Sequence, residues 1–236
     1  MKELVKKVLK STKVGQMAYE PLHRLYRLYS VPARRRVLKR VGKDALAHLV
    51  RVLDKHEVPA FPCCGTLLGF VRDGGFMPHD DDMDWSVIPG EWTPTRLLRM
   101  LLDEGYEYVF GYTYGGKLRE FKVRWKGLPI DFILYDDDGR HFNEHVFYYF
   151  PNVKYPTPSA NTVCVCPNMR FFDLKRLEVY GVQVPVPVDA EAVCADHYGP
   201  TWNIPDAKYD GSKNTRLIKM PDFGYSVTLE EALAAE

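Results

Sequence analysis

Four aspartates fall within five positions, Asp80, Asp81, Asp82 and Asp84, inside the stretch GTLLGFVRDGGFMPHDDDMDWSV that spans 65–87. Such a density of like charge restricts what the chain can build around it. Alternation along a strand places Asp82 and Asp84 on one face, with Asp80 joining them if the extension starts early, and turns Met83 and Trp85 toward a buried face. Carboxylates that converge in this way repel one another unless a cation sits between them. Hard oxygen ligands and a small divalent charge suit Mg²⁺ or Mn²⁺, with phosphates completing the shell. The plain alternative is a solvated acidic turn. Against it stand the apolar flanks, which would hold the pair at the end of a core strand, and the Gly65-Thr66 turn upstream. Backbone N–H groups at a helix start there can hold a phosphate, with the Thr66 hydroxyl as a further donor.

The surrounding pattern places these residues. Apolar positions 45, 46, 49, 52 and 53 predict a helix over 44–57, followed by a short strand in VPAFPCC and a helix in TLLGFVR. The segment DGGFMPHDD reads as a loop and DMDWSVI as a strand. Thr93 and Pro94 read as N-cap and first position of a helix that Gly105 terminates. YEYVFGYTY, KLREFKVRW and LPIDFILYD then read as β-runs joined by Gly-Gly, Lys-Gly and Asp-Gly turns. Many prolines and weak periodicity make 139–236 harder to divide. The order of elements predicts an α+β domain with a mixed sheet flanked by helices.

A lone carboxylate, Asp131, stands among apolar neighbours in LPIDFILY, an expensive place for an unpaired charge. It either marks a strand end at the surface, pairs with an arginine, or joins Asp82 and Asp84 from a neighbouring strand. Lys122 and Arg124 share a face of EFKVRW; one of them reaches a phosphate bound at the acids, or both form a surface ladder. Cys63-Cys64 and Cys164-x-Cys166 have poor spacing for a tetrahedral zinc site and read as small core residues. His197 reads as structural, and His141 and His145 lack the helical context that would pair them.

The ordered segment GTLLGFVRDGGFMPHDDDMD resembles the signature of the LicD family of nucleotidyltransferase-like phosphotransferases. LKRLEVYGVQVPVP and DHYGPTW resemble that family's later segments, so the resemblance covers roughly 44–205. His79 departs from it, standing where the family usually has Trp. The resemblance implies a nucleotidyltransferase-like fold and a donor of the CDP-alcohol type, with CDP-choline foremost. It implies a hydroxyl of a glycan or lipid-linked glycan as acceptor. Metal ligands would be Asp82, Asp84 and Asp131, with Asp80 a further candidate, and Asp131 would lie nearest the attacking hydroxyl. Gly65 and Thr66 would hold donor phosphate. Arg72 would add a contact to it, or equally pair with Asp73. A sugar-nucleotide glycosyltransferase that uses DxD and a metal is a competing enzyme reading. A nucleotide-binding scaffold without activity is a non-enzymatic one.

The formal net charge of +1 conceals an asymmetry. Residues 1–43 carry 13 Lys or Arg against Glu3 and Glu20, and the remainder, 44–236, carries the acidic excess. Apolar residues at 4, 5, 8 and 9 and at 22, 25, 26 and 29 predict a basic amphipathic helical arm, broken at Pro21 and Pro32. Such an arm meets an anionic membrane surface, or packs on the body with its charges solvated. The acidic body argues against nucleic acid as a partner. No signal-like apolar run opens the sequence and the five cysteines are irregularly spaced, so the expected place is the cytoplasm, at the inner face of the membrane.

Overall fold

The computed structural model describes residues 13–150, 152–206 and 214–235. The expected helix over 4–9 lies outside them. Helix α1 (Lys13–Lys55) is one continuous helix that carries both Pro21 and Pro32 inside it. The breaks that the sequence predicts at these prolines are absent from this helix. A proline removes one amide donor but need not end a helix whose downstream turns are held by packing. Leu38, Ala45, Leu46, Leu49, Val52 and Leu53 supply that packing: all are buried at the 3–4-residue spacing of one helical stripe. The expected helix over 44–57 is therefore the last part of a longer one.

The next elements follow the predicted order: β1 (Ala60–Pro62), α2 (Cys64–Asp73), β2 (Met83–Val87) and α3 (Pro94–Asp103). Thr93 caps α3 by accepting the Arg96 amide, and Pro94 occupies the first turn. Strands β3 (Glu107–Tyr114), β4 (Lys117–Trp125) and β5 (Leu128–Ile133) form the expected meander. Tight connections at Gly115-Gly116 and Lys126-Gly127 use positive φ throughout.

Beyond Ile133 the chain contains more order than its prolines suggested. It forms β6 (Asp136–Asp137), β7 (Phe142–Tyr148), β8 (Ala160–Asn168), the hairpin β9 (Leu174–Val179) and β10 (Val182–Pro187), α4 (Ala190–Tyr198), β11 (Ile218–Val227) and α5 (Leu229–Ala234). The described strands make a nine-stranded sheet in the order β1-β2-β5-β4-β3-β11-β8-β7-β6, with β9–β10 as a separate pair. The fold is the expected α+β type, a mixed sheet flanked by helices.

The pairing of β2 with β5 is parallel, and the other sheet pairings among the described strands are antiparallel. Trp85, Phe61, Phe70, Phe121 and Phe132 are fully buried beside this junction. Burial of rings of this size contributes roughly 2–3 kcal/mol each, which anchors the strands that carry the acids.

His145 is a buried group on β7, 5.5 Å from the Tyr114 ring, and its Nδ1 finds no hydrogen-bond partner among the described residues. Burial, assisted by the Arg119 charge, lowers its pKa to about 4. The unfolded chain takes up this proton near the ordinary imidazole pKa of about 6.5, whereas the native state does so only near 4. Stability is therefore full above pH 6.5 and falls as pH drops toward 4. Between pH 7 and 5 the loss from this group is about 2 kcal/mol. In His145→Leu, urea unfolding at the two pH values is expected to show an acid-induced loss smaller by about that amount.

Candidate metal and phosphate site

Three carboxylates meet where β2 lies parallel to β5. Asp84 stands directly across from Asp131 in the register, and Lys122 of β4 stands across from Asp131 on its other side. One oxygen each from Asp82, Asp84 and Asp131 lies within 4.8 Å of the others. Met83 and Trp85 are fully buried on the opposite face, as strand alternation requires.

Lys122 Nζ lies 2.7 Å from Asp131 Oδ2 and 3.4 Å from Asp82 Oδ2. Burial raises the Asp131 pKa, the lysine pulls it back down, and repulsion from Asp82 pushes it up again. Asp84 is held well above the carboxylate range by burial first, then by Asp82 and Asp131. Asp131 Oδ1 is buried without a hydrogen-bond partner among the described residues. One ammonium cannot neutralise three carboxylates, so the donor set fits a small divalent ion with hard oxygen ligands.

Helix α2 starts against this cluster. Thr66 Oγ1 accepts the Asp84 amide at 2.9 Å, which ties the helix start to β2 and aims Asp84. The hydroxyl predicted to serve phosphate thus also has a structural task, with its proton left to donate. Gly65 keeps the approach open: a Cβ there would stand 3.9 Å from Asp84 Oδ2 and 4.0 Å from Asp80 Oδ1. The backbone N–H groups of this first turn have no intrahelical acceptor and point outward, as at any helix start.

Not every candidate joins the cluster. Asp80 lies beside it but outside the three-carboxylate group, and its Oδ2 accepts the Met77 amide at 2.7 Å to close the loop. Burial raises its pKa to about 6. Arg72 is turned aside, in a bidentate pair with Asp73 at 2.9 and 2.8 Å. This was the alternative open in the sequence.

Asp81, out of phase with its neighbours, is held by Arg34 of α1, and Arg35 donates to the His79 carbonyl at 2.9 Å. Two arginines of the basic helix therefore fix the acidic loop, a role that no spacing rule reveals. Glu120 also escaped the sequence reading. It shares the Lys122 face of β4, and burial followed by Asp131 raises its pKa. Period-two alternation back from Lys122 would have found it.

A central mixed sheet, a Gly-Thr helix start and converging acids define a nucleotidyltransferase-type fold and site. The family described as LicD/FKTN/FKRP, nucleotidyltransferase domain, matches residues 57–189, and the chain belongs to that family. Its general role is that of a transferase of the LicD type. No curated protein matches the chain.

Replacing Lys122 by Met removes the counter-charge and leaves the acids facing one another. The metal-free variant is expected to lose about 3 kcal/mol, a fall of roughly 6–12 °C in midpoint. Millimolar Mg²⁺ or Mn²⁺ is expected to recover more of this loss than it adds to the wild type, as read by calorimetry.

Proposed function

We propose that the protein transfers a phospho-alcohol from a CDP-alcohol to a glycan hydroxyl with the help of Mg²⁺ or Mn²⁺. The observation that supports this reading is the convergence of Asp82, Asp84 and Asp131 beside the start of α2. Asp82, Asp84 and Asp131 would hold the metal, which supplies neutralisation of the donor diphosphate and of charge building on the leaving group. The Gly65–Thr66 turn receives donor phosphate. The acceptor oxygen forms a bond to the phosphorus that carries the alcohol. The bond from that phosphorus to the bridging oxygen breaks, and CMP leaves with the oxygen. Asp131 accepts the hydroxyl proton, and Lys122 holds that carboxylate in place.

Choline is the alcohol favoured by the neighbouring face. Phe110 and Tyr112 stand across from Lys122 and Glu120 in the β3–β4 register. Tyr112 stacks on Phe147 at 4.7 Å, and the Phe110 ring lies 5.4 Å from Lys122 Nζ. Aromatic faces suit a quaternary ammonium. Trp85, Trp92 and Trp125 are engaged elsewhere: Trp85 in the core, Trp92 under Arg96 and Trp125 against His48.

The basic arm over 1–43 would bring the catalytic domain over 44–236 to a lipid-linked acceptor at the inner membrane face. Leu22, Leu25, Leu28 and Tyr29 are 46–75% exposed on α1, beside Arg24 and Arg27. No helix among the described residues is long and apolar enough to cross a membrane. An apolar stripe edged by arginine suits shallow insertion among anionic head groups. Vesicles containing anionic lipid are expected to sediment the protein at low salt. Leu25→Ser with Leu28→Ser should weaken that binding by about tenfold or more.

The decisive assay mixes the protein with Mg²⁺ or Mn²⁺, a panel of CDP-alcohols and UDP-sugars, and follows nucleotide release with and without EDTA. CMP release from one CDP-alcohol is expected, lost with EDTA and reduced about 100-fold or more in folded Asp82→Asn and Asp84→Asn. UDP release instead would make the protein a glycosyltransferase. Donor binding without turnover over a full set of glycan acceptors would make it a scaffold.

A further inference from the structure

On the other side of the α2 start lies a second cluster of ligating side chains with different chemistry. Cys64 opens α2, Glu144 lies on β7 and His197 on α4, and one ligand atom from each falls within 4.8 Å of the others. Cys64 Sγ is 3.8 Å from Glu144 Oε1, and His197 Nδ1 is 3.8 Å from Glu144 Oε2. These three residues come from elements far apart in sequence, so the convergence is a product of the tertiary fold.

Glu144 is the observation that asks for an explanation. Its side chain is 8% exposed, and no Lys or Arg among the described residues lies in ion-pair range. What meets it is a thiol, the Asn168 amide at 3.4 Å and an imidazole. A buried carboxylate without a fixed counter-charge is costly. Cys64, moreover, adopts φ +47°, a left-handed conformation that a non-glycine residue holds only at a cost.

We propose that Cys64, Glu144 and His197 form a second metal site, suited to a borderline-soft divalent ion of the zinc type. One sulfur, one nitrogen and one carboxylate oxygen are the ligand set that zinc takes and magnesium avoids. Around tetrahedral zinc the ligand atoms stand about 3.5 Å apart, so a closure of about 1 Å by side-chain rotation completes the shell. The thiol gives its proton to solvent on binding. In the metal-free chain the imidazole Nδ1 lies 3.1 Å from Asn168 Oδ1 and donates its proton to that oxygen; on binding the proton moves to Nε2, and the bared Nδ1 exchanges the amide oxygen for the ion. The fourth position faces a small cavity lined by Phe61, Cys63, Tyr135, Asn168 and Tyr198, room for a water. The bound ion would pin the first residue of α2 to β7 and α4, next to the Gly65–Thr66 turn.

The test uses the full chain carrying Asp84→Asn, which disables the carboxylate site, loaded with Zn²⁺ or Co²⁺ and freed of excess metal. About one equivalent of zinc is expected to remain, and the cobalt form should show thiolate-to-cobalt charge-transfer absorption. Adding Cys64→Ser or His197→Gln should lower zinc retention at least tenfold and, for Cys64→Ser, abolish the sulfur band. Circular dichroism identifies any variant that fails to fold. Absence of zinc retention, or a cobalt spectrum without a thiolate band, would overturn the proposal, and neither result bears on the CDP-alcohol reaction.

Discussion

A single ammonium group among carboxylates holds the centre of this protein together. Lys122 reaches Asp131 and Asp82 from the neighbouring strand, and the surrounding acids exceed it in number. Coulomb repulsion at this spacing and burial would otherwise push the strands apart or leave the acids protonated. The fold answers with a partial solution, one fixed positive charge, and leaves an excess of negative charge beside it. That surplus of negative charge is what supports reading the cluster as a cation site. Around it, Trp85, Phe121 and Phe132 give the strands a rigid backing, so the acids cannot retreat into solvent without disrupting the core.

Much of this was legible in the chain itself. Alternation in DMDWSV foretold which residues face the site and which face the core, and the isolated Asp131 announced itself as an acid in an apolar run. The Gly-Thr turn marked the helix start. These features are local, with periods of two or 3.6 residues, and local periodicity is what a sequence displays directly. Prolines were the misleading signal in α1: residue-level cost argued for breaks, and downstream packing from Leu38 to Leu53 overrode it.

What remained hidden was long-range. Arg34 meets Asp81 across 47 positions, and Cys64 meets Glu144 across 80. Nothing in either residue's neighbourhood announces its partner. Arg72 illustrates the reverse, since its nearest acid, Asp73, captured it before any ligand could. The late strands β7, β8 and β11 were hard to read because their polar-apolar alternation is weak, yet they supply three of the nine strands of the sheet.

The parallel pairing of β2 with β5 bears on how the protein comes to be made. Parallel neighbours cannot be joined by a tight turn, and here α3, β3 and β4 lie between them in the chain. Asp84 and Asp131 therefore meet only after all of that intervening chain has been synthesised and folded back. A nascent chain ending before β5 holds two of the three carboxylates, Asp82 and Asp84, and lacks the third. An ion that needs all three carboxylates would reward the finished topology alone, and a chain with its strands paired in the wrong order would gain nothing from it.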